Sequence, residues 1–282
     1  MLTTDILYMQ HLNYSRQLAQ FCIEKLKNVE RIGKYERLLA SAVVLHGTSV
    51  KFLLPDGGRL NEDLSYSALD ETIPLHLPYP CIALEYHSSK HNFLPGQDET
   101  NSCFTPKHVI YATEEVDVIM VLVGFQFVDS TGWNILPPIM LDKKNYINRS
   151  NVTPDGHVPI VVTITDPKIP ITDYCDESGA LLNFLNALRC SNVHTERSEP
   201  KNAGKHIKAA LPFDTYHLLT IDEPAQSATG APTRGHRSPR EHLRRGHIRH
   251  LANGRTVWVN STVVAAGRGG GKITKDYVLA QT

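Results

Sequence analysis

The chain has 282 residues, of which 41% are apolar and 21% charged, a composition that can bury a sizeable core and excludes a wholly disordered chain. No apolar run approaches a membrane span of about 18 residues, and the stretch from Met1 to Leu12 is too polar for a secretory leader, so a soluble cytosolic protein without a membrane partner is expected. The 29 Lys+Arg and 29 Asp+Glu balance overall, but residues 1–200 carry 16 against 24 (net −8) and residues 201–282 carry 13 against 5 (net +8); that asymmetry points either to a polyanion-binding end or to two parts that attract each other.

In chain order, Thr3, Thr4 and Asp5 offer an N-cap. Leu18, Cys22, Leu26 and Val29 then recur at helical spacing, so they predict a helix with one buried face. Gly33 interrupts it, and Leu38, Leu39, Ala42 and Val43 predict a second helix ending near Gly47. Val50–Leu54 reads as a strand closed by the turn residues Pro55-Asp56-Gly57-Gly58. Pro74, Pro78 and Pro80 cannot donate to a ladder and predict an irregular approach to a strand at Cys81–Tyr86. His108–Ala112 is a further strand, and the nearly continuous β-branched run Val116–Val128 has the character of a central strand covered on both faces. Trp133–Leu141 is broken by Pro137 and Pro138, and Pro159–Thr165 reads as a strand. Leu181, Phe184, Leu185 and Leu188 form an amphipathic helical pattern with Ser178 as candidate N-cap, and Tyr216–Ile221 and Val257–Val264 complete the strands. The expected class is α+β, with an N-terminal helical segment followed by a mostly antiparallel sheet. Its expected organisation is an acidic globular domain over 1–221, a linker or loop over 222–239, and a basic, Arg/His-rich β module over 240–282.

The segment Thr233–Val257 holds seven arginines against one acid, Glu241, with His236, His242, His247 and His250 interleaved. A guanidinium is a planar fork that gives two parallel hydrogen bonds to a phosphate and keeps its charge. Arg240, His242, Arg244, Arg245, His247, Arg249 and Arg255 are therefore the expected nucleic-acid contacts, with Trp258 as a stacking platform or a strand-core residue. The same residue types also serve a metal-independent ribonuclease, in which His247 moves protons, Arg245 or Arg249 holds the phosphorane-like charge, and a distant carboxylate such as Glu85 assists. If this segment is a strand, alternation places Arg245, His247 and Arg249 on one face; a helix would turn His247 away from the arginines. Glu85, at the end of the strand Cys81–Tyr86, is read either as a functional carboxylate at a sheet edge or as a structural or strand-end charge.

Other chemistry finds no local support. His242 and His247 have the spacing of half a zinc-finger site, but Cys22, Cys81, Cys103, Cys175 and Cys190 form no CxxC pair, so no metal site is expected and the cysteines are read mostly as reduced core residues. Ala266–Thr274 looks superficially like a phosphate loop but has Ala266 where the first glycine belongs and Ile273 where the magnesium-binding hydroxyl belongs. No nucleotide or other cofactor is expected.

The run Ser238-Pro239-Arg240-Glu241-His242-Leu243-Arg244-Arg245-Gly246-His247-Ile248-Arg249, followed by Gly254-Arg255-Thr256-Val257-Trp258-Val259-Asn260, resembles a C-terminal signature of a family of uncharacterised bacteriophage, prophage and plasmid proteins. Tyr216-His217-Leu218-Leu219 and Pro80–Tyr86 are similar to that group more weakly. The resemblance implies a mobile-element protein acting in the cytoplasm of a bacterial host, and it carries no catalytic residue. The expected function is nucleic-acid binding (RNA or DNA) through the C-terminal module. The alternatives are the nuclease centred on His247 and a host-takeover or counter-defence factor whose basic face docks an acidic host protein.

Overall fold

Local sequence signals account for most of the elements in the computed structural model, which describes residues 12–58, 60, 74–88, 107–127, 130–146, 161–170, 174–199, 211, 214–221, 242–244, 247–259 and 262–264. The expected N-cap at Thr3–Asp5 and the glycine-rich turn after Ala266 lie outside them, as does the linker at 222–239. Helix α1 spans Tyr14–Leu26 and α2 spans Lys34–Thr48. Gly33 precedes α2, and Glu36 reaches back to accept the Gly33 amide at 2.9 Å, as acidic residues in a first helical turn commonly do. At the far end, the Lys51 ammonium donates to the carbonyls of His46 (2.8 Å) and Ser49 (3.3 Å), satisfying acceptors that the helix leaves open.

The strands follow as β1 (Val50–Leu53), β2 (Cys81–His87), β3 (Lys107–Glu114), β4 (Val118–Gln126), β5 (Asn134–Ile135), β6 (Ile139–Asp142), β7 (Val162–Ile164), β8 (Val193–Ser198) and β9 (Tyr216–Ile221). They form one nine-stranded mixed sheet in the order β7-β6-β4-β3-β2-β1-β9-β8, with β5 also paired to β4. Antiparallel pairing predominates, but β1 runs parallel to both β2 and β9. The apolar run at 116–128 supplies the interior strand β4, although Val116 itself sits outside the strand, exposed. Pro137 and Pro138 separate β5 from β6, which explains why that stretch carries mixed signals.

Helix α3 (Cys175–Leu188) lies between β7 and β8 in sequence and begins earlier than Ser178. Asp176 and Glu177 fill its first turn, where carboxylates favour the positive end of the helix dipole, and Ser178 is buried within the helix rather than capping it. The sheet is covered on both faces. On one, Phe52, Ile82, Leu84, Ile110 and Val121 pack with Leu181, Phe184 and Leu185 of α3, the Phe52 and Phe184 rings meeting edge-on at 4.8 Å. On the other, Leu53, Ala83, Val109, Tyr111 and Leu122 pack with Leu18 and Cys22 of α1 and Leu39 and Ala42 of α2. Strand alternation sends neighbouring residues of β1, β2 and β3 to opposite cores, so these central strands have few positions for polar side chains.

Candidate functional site

The described residues of the basic segment lie largely in strands. β10 (His242–Arg244) pairs antiparallel with β13 (Thr262–Val264), and β11 (His247–His250) pairs antiparallel with β12 (Thr256–Val259). The β11–β12 pairs run from His247 opposite Val259 to His250 opposite Thr256, and the β10–β13 pairs from His242 opposite Val264 to Arg244 opposite Thr262. The stretch expected as one strand at 257–264 contributes two described strands, each in its own ladder. Between β11 and β12, Leu251–Arg255 closes a tight turn in which the Leu251 amide meets the Arg255 carbonyl at 2.8 Å and Gly254 takes φ +79°. A glycine in the left-handed region after two ordinary turn residues is the usual way a three-residue hairpin loop matches the twist of its strands.

The register distributes the expected contacts. Within β11, positions 247 and 249 share one face, opposite Val259 and Val257, while Ile248 and His250 share the other with Trp258 and Thr256. Within β10, positions 242 and 244 share a face and Leu243 lies on the other. The side chain of Arg249 is exposed. Arg240 and Arg245 lie outside the described residues. Arg255 stands at the turn and donates to the Ser191 hydroxyl at 3.1 Å, and the Ser191 amide donates to the Thr256 carbonyl at 2.8 Å. These two bonds tie the turn of the hairpin to the connection between α3 and β8, so Arg255, expected as a nucleic-acid contact, is engaged within the chain.

Glu85 occupies a different environment from the sheet edge considered for it. β2 is an interior strand, and Glu85 is completely buried. Asn13, at φ +44°, contributes no side-chain cap to α1; instead the Glu85 carboxylate accepts the first free amides of that helix, from Tyr14 at 2.8 Å and from Ser15 at 3.0 Å. The Tyr216 hydroxyl donates to its two oxygens at 3.1 and 3.0 Å. Burial pushes the Glu85 carboxyl up to about 7, against the pull of the hydrogen bonds from Ser15 and Tyr14. None of these partners belongs to the hairpin, so the structure does not pair Glu85 with His247.

Asp214 extends the same buried group. It accepts from the Ser15 hydroxyl at 3.2 Å and stands 3.4 Å from the Lys51 ammonium and 3.8 Å from His46. Burial lowers the His46 pKa, partly opposed by Asp214, and among the described residues its Nδ1 has no hydrogen-bond partner. Tyr111 completes the group by donating to the Ser15 carbonyl at 3.4 Å. The arrangement joins α1, α2, β1, β2, β3 and the approach to β9, and it works as a polar pin: each charge is met by a helix end, a counter-charge or a hydroxyl.

Sequence reasoning also missed a second polar contact on the opposite face. His108 meets Glu177 of α3 at 3.0 Å, with both side chains nearly buried, and its ring stacks on Tyr86 at 4.5 Å and 5°. This ties the start of α3 to β2 and β3. A histidine and a glutamate 69 residues apart leave no local signal of their pairing. Cys22, Cys81 and Cys190 are free and buried, and burial pushes the Cys22 and Cys190 thiols up to about 12, which suits small core residues. Among the described residues no group of three or more His, Cys, Asp or Glu is placed to hold a metal ion, and no helix is long and apolar enough to cross a membrane. Compared with protein-family models, with curated proteins and with solved structures, the chain matches none.

Proposed function

We propose that the chain binds nucleic acid through its C-terminal hairpin, as a mobile-element protein acting inside a bacterial host. The observation that carries this reading is the antiparallel pairing of β10 with β13 and of β11 with β12, which sets arginines and histidines at alternate strand positions, with Arg249 exposed. Arginines carried on a paired strand lose less backbone freedom on meeting phosphate than the same residues in a loose chain. Arg249, exposed on β11, is the principal contact among the described residues, and Arg255 positions the hairpin. The nuclease reading keeps His247 and Arg249 on one face but loses Glu85 as its carboxylate, so binding without cleavage is the function favoured.

The test is incubation of the purified protein with labelled RNA and DNA in chelator, followed by a native and a denaturing gel. The reading expects a mobility shift that weakens with salt, intact strands, and a weaker shift with Arg244→Ala/Arg249→Ala. Cleavage abolished by His247→Ala would transfer the hairpin to the nuclease reading. Neither shift nor cleavage would sink both, leaving the docking of an acidic host protein.

A further inference from the structure

We infer that the ligand of the hairpin is double-stranded DNA, with the ribbon face carrying positions 247 and 249 laid into the major groove; this rests on the nucleic-acid reading above. Two antiparallel strands stand about 5 Å apart, and with their side chains such a ribbon matches the B-form major groove, about 12 Å wide, as an α-helix does. β11 and β12 pair over His247–His250 and Thr256–Val259, about 13 Å of ribbon at the usual strand rise, enough to follow a groove past about three or four base pairs. The major groove of duplex RNA is deep and narrow and does not admit a ribbon.

The composition of the ribbon separates duplex from single strand. Binders of single strands stack successive bases on a platform of several aromatic rings. Between residues 242 and 264 the chain has one aromatic residue, Trp258, and its position falls on the face opposite 247 and 249. The face carrying 247 and 249 has instead a histidine and an arginine, residue types that donate to phosphates and to the edges of paired bases, beside the valine positions 257 and 259. Val257, Val259, Val263 and Val264 along the second strand are β-branched and favour a stiff, extended ribbon. The turn is held by Ser191, so the ribbon meets its ligand along its length rather than by its tip.

The full-length protein is titrated, at one ionic strength, into fluorescent probes of one sequence: duplex DNA, duplex RNA and each single strand. A further DNA duplex carries bulky substituents on pyrimidine C5, which project into the major groove. Duplex DNA should bind about tenfold tighter than duplex RNA or either single strand, and the C5 substituents should remove most of that advantage. Arg249→Ala, at an exposed position where folding is not at stake, should weaken the DNA duplex selectively. Equal affinity for RNA or single strands, or indifference to the C5 substituents, would overturn this inference and leave nucleic-acid binding standing. Failure to bind any probe would overturn both.

Discussion

Glu85 shows how one side chain can be conspicuous in a sequence and still be misplaced by it. An acid inside an apolar strand is visible at once; its partners, the amides of Tyr14 and Ser15, lie about 70 residues upstream and are brought together only by the packing of α1 on the sheet. Because the folded carboxyl titrates at about 7 and its ordinary value is 4.5, the folded state holds the proton more tightly than the unfolded chain between those values. Stability contributed by protonated Glu85 is therefore complete below about pH 4.5 and is lost as the pH rises through about 7, a change of about 3 kcal/mol. Asp214, Lys51 and His46 stand in the same group, and buried His46 and half-buried His87 and His217, with lowered pKa values, change stability in the opposite sense. The informative quantity is thus the difference between the wild type and Glu85→Gln. Denaturant unfolding of both from pH 4.5 to 8 should show the wild type losing about 3 kcal/mol relative to the variant; parallel profiles would contradict the assignment.

At the scale of elements, the hairpin is the part whose local chemistry is written most openly. Asn253-Gly254 between basic and β-branched runs is a strong turn signal, and the observed turn uses it, with Asn253 accepting the Arg255 amide at 3.1 Å. Replacing Gly254 by Val forces a β-branched residue to φ +79° and should destabilise the turn by about 1–3 kcal/mol. The account expects Gly254→Val to lower nucleic-acid affinity while the main unfolding midpoint, set by the sheet and its three helices, barely moves; a calorimetric scan beside a binding titration separates the two effects. Gly124 illustrates a different constraint, close approach: a Cβ there would stand 2.5 Å from a terminal carbon of buried Leu18. Gly124→Ala should therefore destabilise the α1–β4 contact by about 1–2 kcal/mol through overpacking, measurable as a lower denaturant midpoint.

Most strands and all three described helices were legible from periodicity, proline and turn chemistry, and β4 from its unbroken β-branched run. The parallel placement of β1 between β2 and β9 was not, because the partner of β9 lies more than 160 residues away and nothing in either segment encodes direction. The start of α3 was misread for a local reason: Ser178 looks like a cap, but the true first turn is marked by the acids Asp176 and Glu177. Of the proposed binding residues, the identities and the alternation of 247 with 249 were legible in the sequence. It left open the anchoring of Arg255 by Ser191, a contact across 64 residues.

Across the whole molecule, the two charge halves set the conditions under which a hairpin so placed can work. Residues 1–200 carry a net −8 and residues 201–282 a net +8, so the body repels a polyanion that the C-terminal part attracts. Exposed charges on the edge strand β8, where Arg197 pairs with Glu199 at 2.7 Å, also discourage strand addition at that edge. Binding by such a molecule should depend steeply on salt, since each phosphate neutralised releases counterions. The most direct test of the central claim is the affinity for duplex DNA over a salt series, for the wild type and Arg249→Ala. The account predicts a log–log slope of about −3 for the wild type, shallower by about 1 in the variant. A flat salt dependence, or a slope that Arg249→Ala leaves unchanged, would contradict it.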